Sequence, residues 1–212
     1  MTNKLVYYVY LHSFTPNFAI ETMASKKNHK VKDNYIFYNE LLAKRKSIFS
    51  EVIDIKKFGN HPRTLEESVD VTHPDVSDKM VLLVDVKVNN YNFFQFKLRY
   101  KEFLDNPIFR FDSDGATHWN QIDGNPLHKQ QIPTPHFHKF NEDGVEVAYK
   151  TDHLQDESKK KALEDIENCI VHFFHECNIR VNENSFPSIK ILSNQLGFSF
   201  ENEDPNQNIL FL

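Results

Sequence analysis

Between residues 80 and 100 the chain alternates with a period of two on both sides of a turn. Leu82, Val84, Val86 and Val88 interleave with Leu83, Asp85 and Lys87. Beyond Asn89-Asn90, Phe94, Phe96, Leu98 and Tyr100 interleave with Gln95, Lys97 and Arg99. Successive side chains of a strand point to opposite faces, so each run presents one apolar and one polar face. Two such runs joined by a short polar turn make an antiparallel hairpin. A sheet with one face packed and one face polar is the framework on which the rest must build. Residues 108–112 continue it, with Phe109 and Phe111 inward and Arg110 and Asp112 outward. Residues 136–140 and 145–149 add a second hairpin around the turn Glu142-Asp143-Gly144.

The chain has 212 residues, enough for one substantial core or for one domain with an appendage. Nineteen phenylalanines against one tryptophan imply a core filled with flat rings. Helical spacing appears over residues 34–49, with Lys44, Arg45 and Lys46 on its solvent side or in its last turns. A stronger pattern covers 156–177, where Leu163, Ile166, Ile170, Phe173, Phe174 and Cys177 form one stripe. A further helix is expected over 186–195 and a strand over 5–11. Residues 13–33 and 61–78 read as loops, the first with a basic run and the second acidic and broken by Pro62 and Pro74. The expected fold is α+β: a curved antiparallel sheet packed against helices, with one long C-terminal amphipathic helix. Its parts are an N-terminal strand, helix and long loop over 1–79, the main domain over 80–200 and a tail over 201–212.

The formal net charge of -5 argues against chain-wide attraction to nucleic acid or anionic membrane, but leaves room for a local basic face. No apolar run reaches the length of a membrane span. The two cysteines, Cys169 and Cys177, lie eight apart in one helical pattern, ~12 Å along the axis, too far for a disulfide. Free thiols suit a reducing compartment, and a cytoplasmic protein is expected.

Titratable chemistry concentrates in residues 109–149, which hold His118, His128, His136, His138, Trp119 and several acids. His136 and His138 are two apart in a strand, so their rings leave the same face with Cα atoms about 6.5–7 Å apart. Two imidazoles so placed can converge on a divalent metal ion or on a phosphate. His118 is the candidate third ligand and Asp112 the carboxylate, with Glu142 or Glu146 as alternatives. The plainer reading is a pair of half-exposed strand histidines hydrogen-bonded to tyrosine or carboxylate. Arg110 and Asp112 share a strand face, which suits an ion pair or a bidentate clamp for an anion. Lys97, Arg99, Arg110, Trp119 and Asn120 form the candidate ligand-binding set.

The order of signals over about 80–197 resembles an uncharacterised bacterial domain family. The signals are Arg110-Phe111-Asp112, then Gly115-Ala116-Thr117-His118-Trp119-Asn120, then His136-Phe137-His138 with Glu142 and Ala148-Tyr149, and finally Cys177-Asn178-Ile179. The usual Asn-Pro-Asp-Gly phrase is loosened here to Asn120-Gln121-Ile122-Asp123-Gly124. The resemblance implies no activity, substrate or catalytic residue.

Three functions of different class fit these residues. The first expectation is a binding or regulatory protein of bacterial or mobile-element origin, acting through a protein partner or nucleic acid. It draws on the acidic 61–78 segment, the basic 26–32 run and the apolar residues Ile209 to Leu212. The alternative is a small His-dependent hydrolase or nuclease, with or without a metal, acting on a phosphodiester. There His136 and His138 serve as acid and base or as ligands, Arg110 stabilises negative charge, and Glu142 or Asp112 orients a histidine. The third is structural, with the two motifs merely pinning the sheet.

Overall fold

The computed structural model describes residues 27–192, except 60, 62, 123 and 182–184. Its centre is a seven-stranded sheet, with strands numbered here in chain order: β1 (Lys57–Phe58), β2 (Thr64–Val71), β3 (Met80–Lys87), β4 (Asn90–Arg99), β5 (Phe109–Asp112), β6 (His136–Phe140) and β7 (Glu146–Tyr149). Spatial order follows chain order, and every neighbouring pair is antiparallel. It is an open meander, not the curved sheet expected from the sequence. Its pairings show one register shift, between Val86 and Lys87, whereas curling a sheet takes repeated bulges.

Register sorts the side chains into rows. Val84, Phe96, Phe111, Phe137 and Tyr149 lie opposite one another across five strands, on the core face. The next row, on the other face, is Glu66, Asp85, Gln95, Asp112 and His136. The row after the core row carries Leu83, Lys97, Arg110, His138 and Ala148. Period-two alternation thus places Arg110 directly beside His138, and Asp112 directly beside His136.

Among the described residues five α-helices accompany the sheet: α1 (His29–Asp33), α2 (Tyr35–Ala43), α3 (Asp152–Gln155), α4 (Glu157–Ala162) and α5 (Ile166–Glu176). The apolar stripe of α5 closes the core. The Phe173 ring sits 5.4 Å from both Phe96 and Phe109. Cys169 and Cys177 are free and buried in this layer. Near the other end of the sheet, the buried Tyr38 hydroxyl donates to the Ile108 carbonyl at 2.9 Å. The same hydroxyl accepts from the Phe140 amide at 2.9 Å. It thereby ties α2 to the start of β5 and the end of β6.

Several expectations fail for local reasons. The single long C-terminal helix is two helices, because Asp165 caps a fresh start. Its side chain accepts from the amides of Glu167 and Asn168 at 2.9 and 3.1 Å, the hydrogen bonding that begins a helix instead of continuing one. The expected helix over 186–195 carries, in its described part up to residue 192, a strand, Ser188–Ile191, parallel to Val52–Ile55; residues 193–195 lie outside the described residues. The expected loop 61–78 contains β2, with Leu65, Val69 and Val71 buried. Strands β1 and β2 therefore belong to the same sheet as β3 to β7. The 34–49 helix stops at Ala43 because Lys46 folds back under it. Lys46 is fully buried, not solvent-facing. Its ammonium donates to the carbonyls of Leu41, Leu42 and Lys44 at 2.7–2.8 Å, satisfying groups that a helix C-terminus leaves open. Residues 29–33, expected as loop, form α1. The expected strand 5–11 and the tail 201–212 lie outside the described residues. No helix among the described residues is long and apolar enough to cross a membrane.

Candidate metal centre

Three donor side chains converge on the polar face of β5 and β6. One ligand atom from each of Asp112, His136 and His138 lies within 4.8 Å of the other two. His136 and His138 are 1 % and 2 % exposed, so the half-exposed pair expected from the sequence is in fact buried. Their ring centroids are 4.6 Å apart. Asp112 Oδ2 lies 3.1 Å from His138 Nε2 and 3.7 Å from His136 Nε2. Donor atoms around a tetrahedral ion with arms of ~2.0–2.2 Å sit ~3.3–3.6 Å apart, a spacing that the two Asp112–histidine distances bracket.

The surroundings orient these donors. Gln95, the register partner of Asp112, donates from Nε2 to Asp112 Oδ1 at 2.9 Å, which leaves Oδ2 for the histidines. Such outer contacts fix a ligand's direction. The Arg110 guanidinium bridges the cluster, with Nε 3.3 Å from Asp112 Oδ2 and Nη2 3.0 Å from His138 Nε2. Glu146 reaches in from β7, its Oε1 3.7 Å from both Arg110 Nη2 and His138 Nδ1.

Polar satisfaction is incomplete here. His138 Nε2 faces the Asp112 carboxylate and an Arg110 N–H at once. A protonated nitrogen would suit the carboxylate and clash with the guanidinium, while a bare one does the reverse. The Nδ1 atoms of His136 and His138 and Arg110 Nε have no hydrogen-bond partner although buried. Buried polar groups are ordinarily paired, so three unpaired atoms on the residues of one cluster call for a partner such as a water molecule or an ion. A set of two imidazoles and one carboxylate is the ligand chemistry of zinc and of other first-row divalent ions. The cluster can coordinate such an ion.

Charge follows from this packing. Burial by itself would raise the Asp112 carboxyl. Hydrogen bonds to His136 and His138 and the Arg110 charge outweigh it and hold the group well below the usual carboxylate range. His138 is lowered by burial, against the raising effect of its bond to Asp112. His118 is lowered by burial and then by the neighbouring histidines.

Of the candidate metal ligands, Asp112, His136 and His138 form the donor set. His118 stands beside it, with its ring 4.7 Å from that of His138 and 6.2 Å from that of His136. It rides on a two-stranded flap, where His118–Trp119 pairs with Gln131–Ile132. Glu142 is exposed in the hairpin turn. The carboxylate reaching the cluster from this hairpin is Glu146, on the alternate face from Val145 and Val147.

The ligand-binding candidates divide. Arg110 is in the cluster. Trp119 is half exposed at its edge. Asn120 is buried and structural, its Nδ2 donating to the Ala148 carbonyl at 2.8 Å and its Oδ1 accepting from the Ala148 amide at 2.7 Å. One side chain thus covers part of the open edge of β7. Lys97 is paired with Asp85, and Arg99 lies farther along the face, lining a separate groove with Lys97 and Asp85. Gln95 escaped the sequence reading, although its alternation with Phe94 and Phe96 already placed it on this face.

No protein-family model, curated protein or solved structure matches this chain.

Proposed function

We propose that the protein is a small metal-dependent hydrolase acting on a phosphodiester. The observation that carries this is the convergence of Asp112, His136 and His138 beside Arg110, with buried imidazole nitrogens left unpaired. A divalent ion held there would supply Lewis acidity toward a phosphoryl oxygen or a water molecule. Arg110 stands where a guanidinium can neutralise charge developing on the phosphoryl group. His118, close to the donor set but outside it, is placed to accept the proton of the attacking water. The bond from water oxygen to phosphorus forms, the bond from phosphorus to the leaving oxygen breaks, and the leaving alkoxide takes up a proton. Gln95 keeps Asp112 aimed, and Glu146 balances the charge of Arg110.

The binding or regulatory reading has less to stand on. Its acidic loop contains β2, which is paired along its full length with β3. The metal-free structural reading leaves the mismatch at His138 Nε2 without a purpose.

Hydrolysis of bis(4-nitrophenyl) phosphate with added zinc or manganese tests the proposal. Turnover should fall at least a hundredfold in His138→Ala and in Arg110→Ala, and stay unchanged in His128→Ala, an exposed residue of the 3-10 turn Leu127–Lys129. Turnover that survives loss of both His136 and His138 would overturn it.

A further inference from the structure

Beside the donor set lies a cleft of about 290 Å³ whose lining includes His118, Trp119, Gln121, Asn106, Glu146 and Lys27. Two of these residues belong to both places. His118 lines the cleft and packs its ring against His138. Glu146 lines the cleft and approaches Arg110 and His138. The cleft and the Arg110 cluster therefore adjoin, with Glu146 common to both.

The lining states what kind of group fits. Trp119 is 50 % exposed and offers a broad aromatic surface. Asn106 and Gln121 bring exposed side-chain amides, each carrying both donors and an acceptor. A π surface with paired donors and acceptors around it matches a nucleobase, which stacks by its face and hydrogen-bonds by its edge. Pockets for drug-sized ligands start near ~300 Å³, so this cleft holds about one base and not a run of them. The net charge of -5 also disfavours a long polyanion.

We propose that the substrate is a small base-bearing phosphodiester, such as a dinucleotide, with its base in the Trp119 cleft and its phosphate at Arg110. This rests on the hydrolase reading above for the phosphate, while the base site stands on the cleft alone. Trp119 sits on the flap next to His118, so base binding also brings His118 toward the reacting phosphate. Asn106 lies just before β5 and Gln121 just after Asn120, so the two amides come from separate segments of the chain.

Trp119 is the only tryptophan in the chain, so its fluorescence reports on this cleft directly. The experiment titrates a dinucleotide, ribose 5-phosphate and a short single-stranded oligonucleotide into full-length His138→Ala protein with chelator present. Catalysis and metal play no part, so failure of the hydrolase reading leaves the outcome intact. The expected result is saturable quenching by the dinucleotide and none by ribose 5-phosphate. Calorimetry on Trp119→Ala should show dinucleotide affinity weakened about 5- to 150-fold, the range for loss of one base–aromatic stack. Trp119→Phe should retain most of it. Absence of quenching, equal quenching by ribose 5-phosphate, or an oligonucleotide binding more than a hundredfold tighter than the dinucleotide would overturn the inference.

Discussion

Replacing Tyr38 with phenylalanine removes one oxygen atom and changes nothing else in the core. That oxygen serves two backbone groups, accepting from the Phe140 amide and donating to the Ile108 carbonyl. Tyr38 is fully buried, so water cannot take its place without opening the packing among Phe103, Phe140 and Tyr35. Each buried group left without a partner costs ~1–3 kcal/mol. The ring stays, so no cavity term adds. The sum is about 3 kcal/mol, allowing for partial relaxation of the carbonyl. For a domain of this size that lowers the melting temperature by about 6–12 °C. Urea denaturation gives the free energy, and an unchanged slope would show that both states keep their compactness. Hydrogen exchange should quicken most at the Phe140 amide, two residues beyond His138. A loss below about 0.5 kcal/mol with the same slope would refute the claim that this hydroxyl joins α2 to the sheet.

Other perturbations give equally definite outcomes. Asn120→Ala should destabilise by about 2 kcal/mol, since two hydrogen bonds to Ala148 go; Asn120→Asp should cost at least as much, because a buried carboxylate oxygen then faces the Ala148 carbonyl, and exchange at the Ala148 amide shows whether the remaining acceptor holds it. Asp165→Ala should cost about 1 kcal/mol, with helix content falling at the start of α5; an unchanged circular-dichroism melt would contradict the two-helix account. His172 is held to about 4, below its ordinary 6.5, by burial and then by the charges of His153 and His175. The folded chain therefore keeps it neutral while the unfolded chain takes up the proton, so stability falls as pH drops from about 6.5 toward 4. His172→Gln should flatten the stability profile in that window, and a profile as steep as before would assign the acid sensitivity elsewhere.

The polar face was legible because strand phase is simple. Arg110 with Asp112 and His136 with His138 leave the core in pairs by alternation alone, and the hairpin around residues 80–100 was clear for the same reason. What sequence could not give was register. It is the pairing of β5 with β6 that sets Asp112 beside His136 and Arg110 beside His138. Register also decides that Gln95 reaches Asp112 and that Glu146, not Glu142, reaches the cluster. Lys46 misleads because a lysine reads as solvent-exposed, while three helix-terminal carbonyls form a buried site for its ammonium. The break between α4 and α5 did have a local signal, Asp165 ahead of Ile166, but the continuous apolar stripe from Leu163 to Cys177 masked it. Likewise Val69 and Val71 alternate with Ser68 and Asp70 in a segment whose prolines and acids suggest a loop. His118 sits on a flap of two residues per strand, too short for any periodicity to place.

Asp112, His136 and His138 form a cluster able to coordinate one divalent ion. Isothermal titration of zinc into the full-length protein, after chelation and buffer exchange, measures it directly. The expected result is one ion per chain in the wild type and loss of that ion in the His136→Ala, His138→Ala double variant, with far-ultraviolet circular dichroism unchanged. No binding by the wild type, or the same stoichiometry and affinity in the folded double variant, would contradict the account.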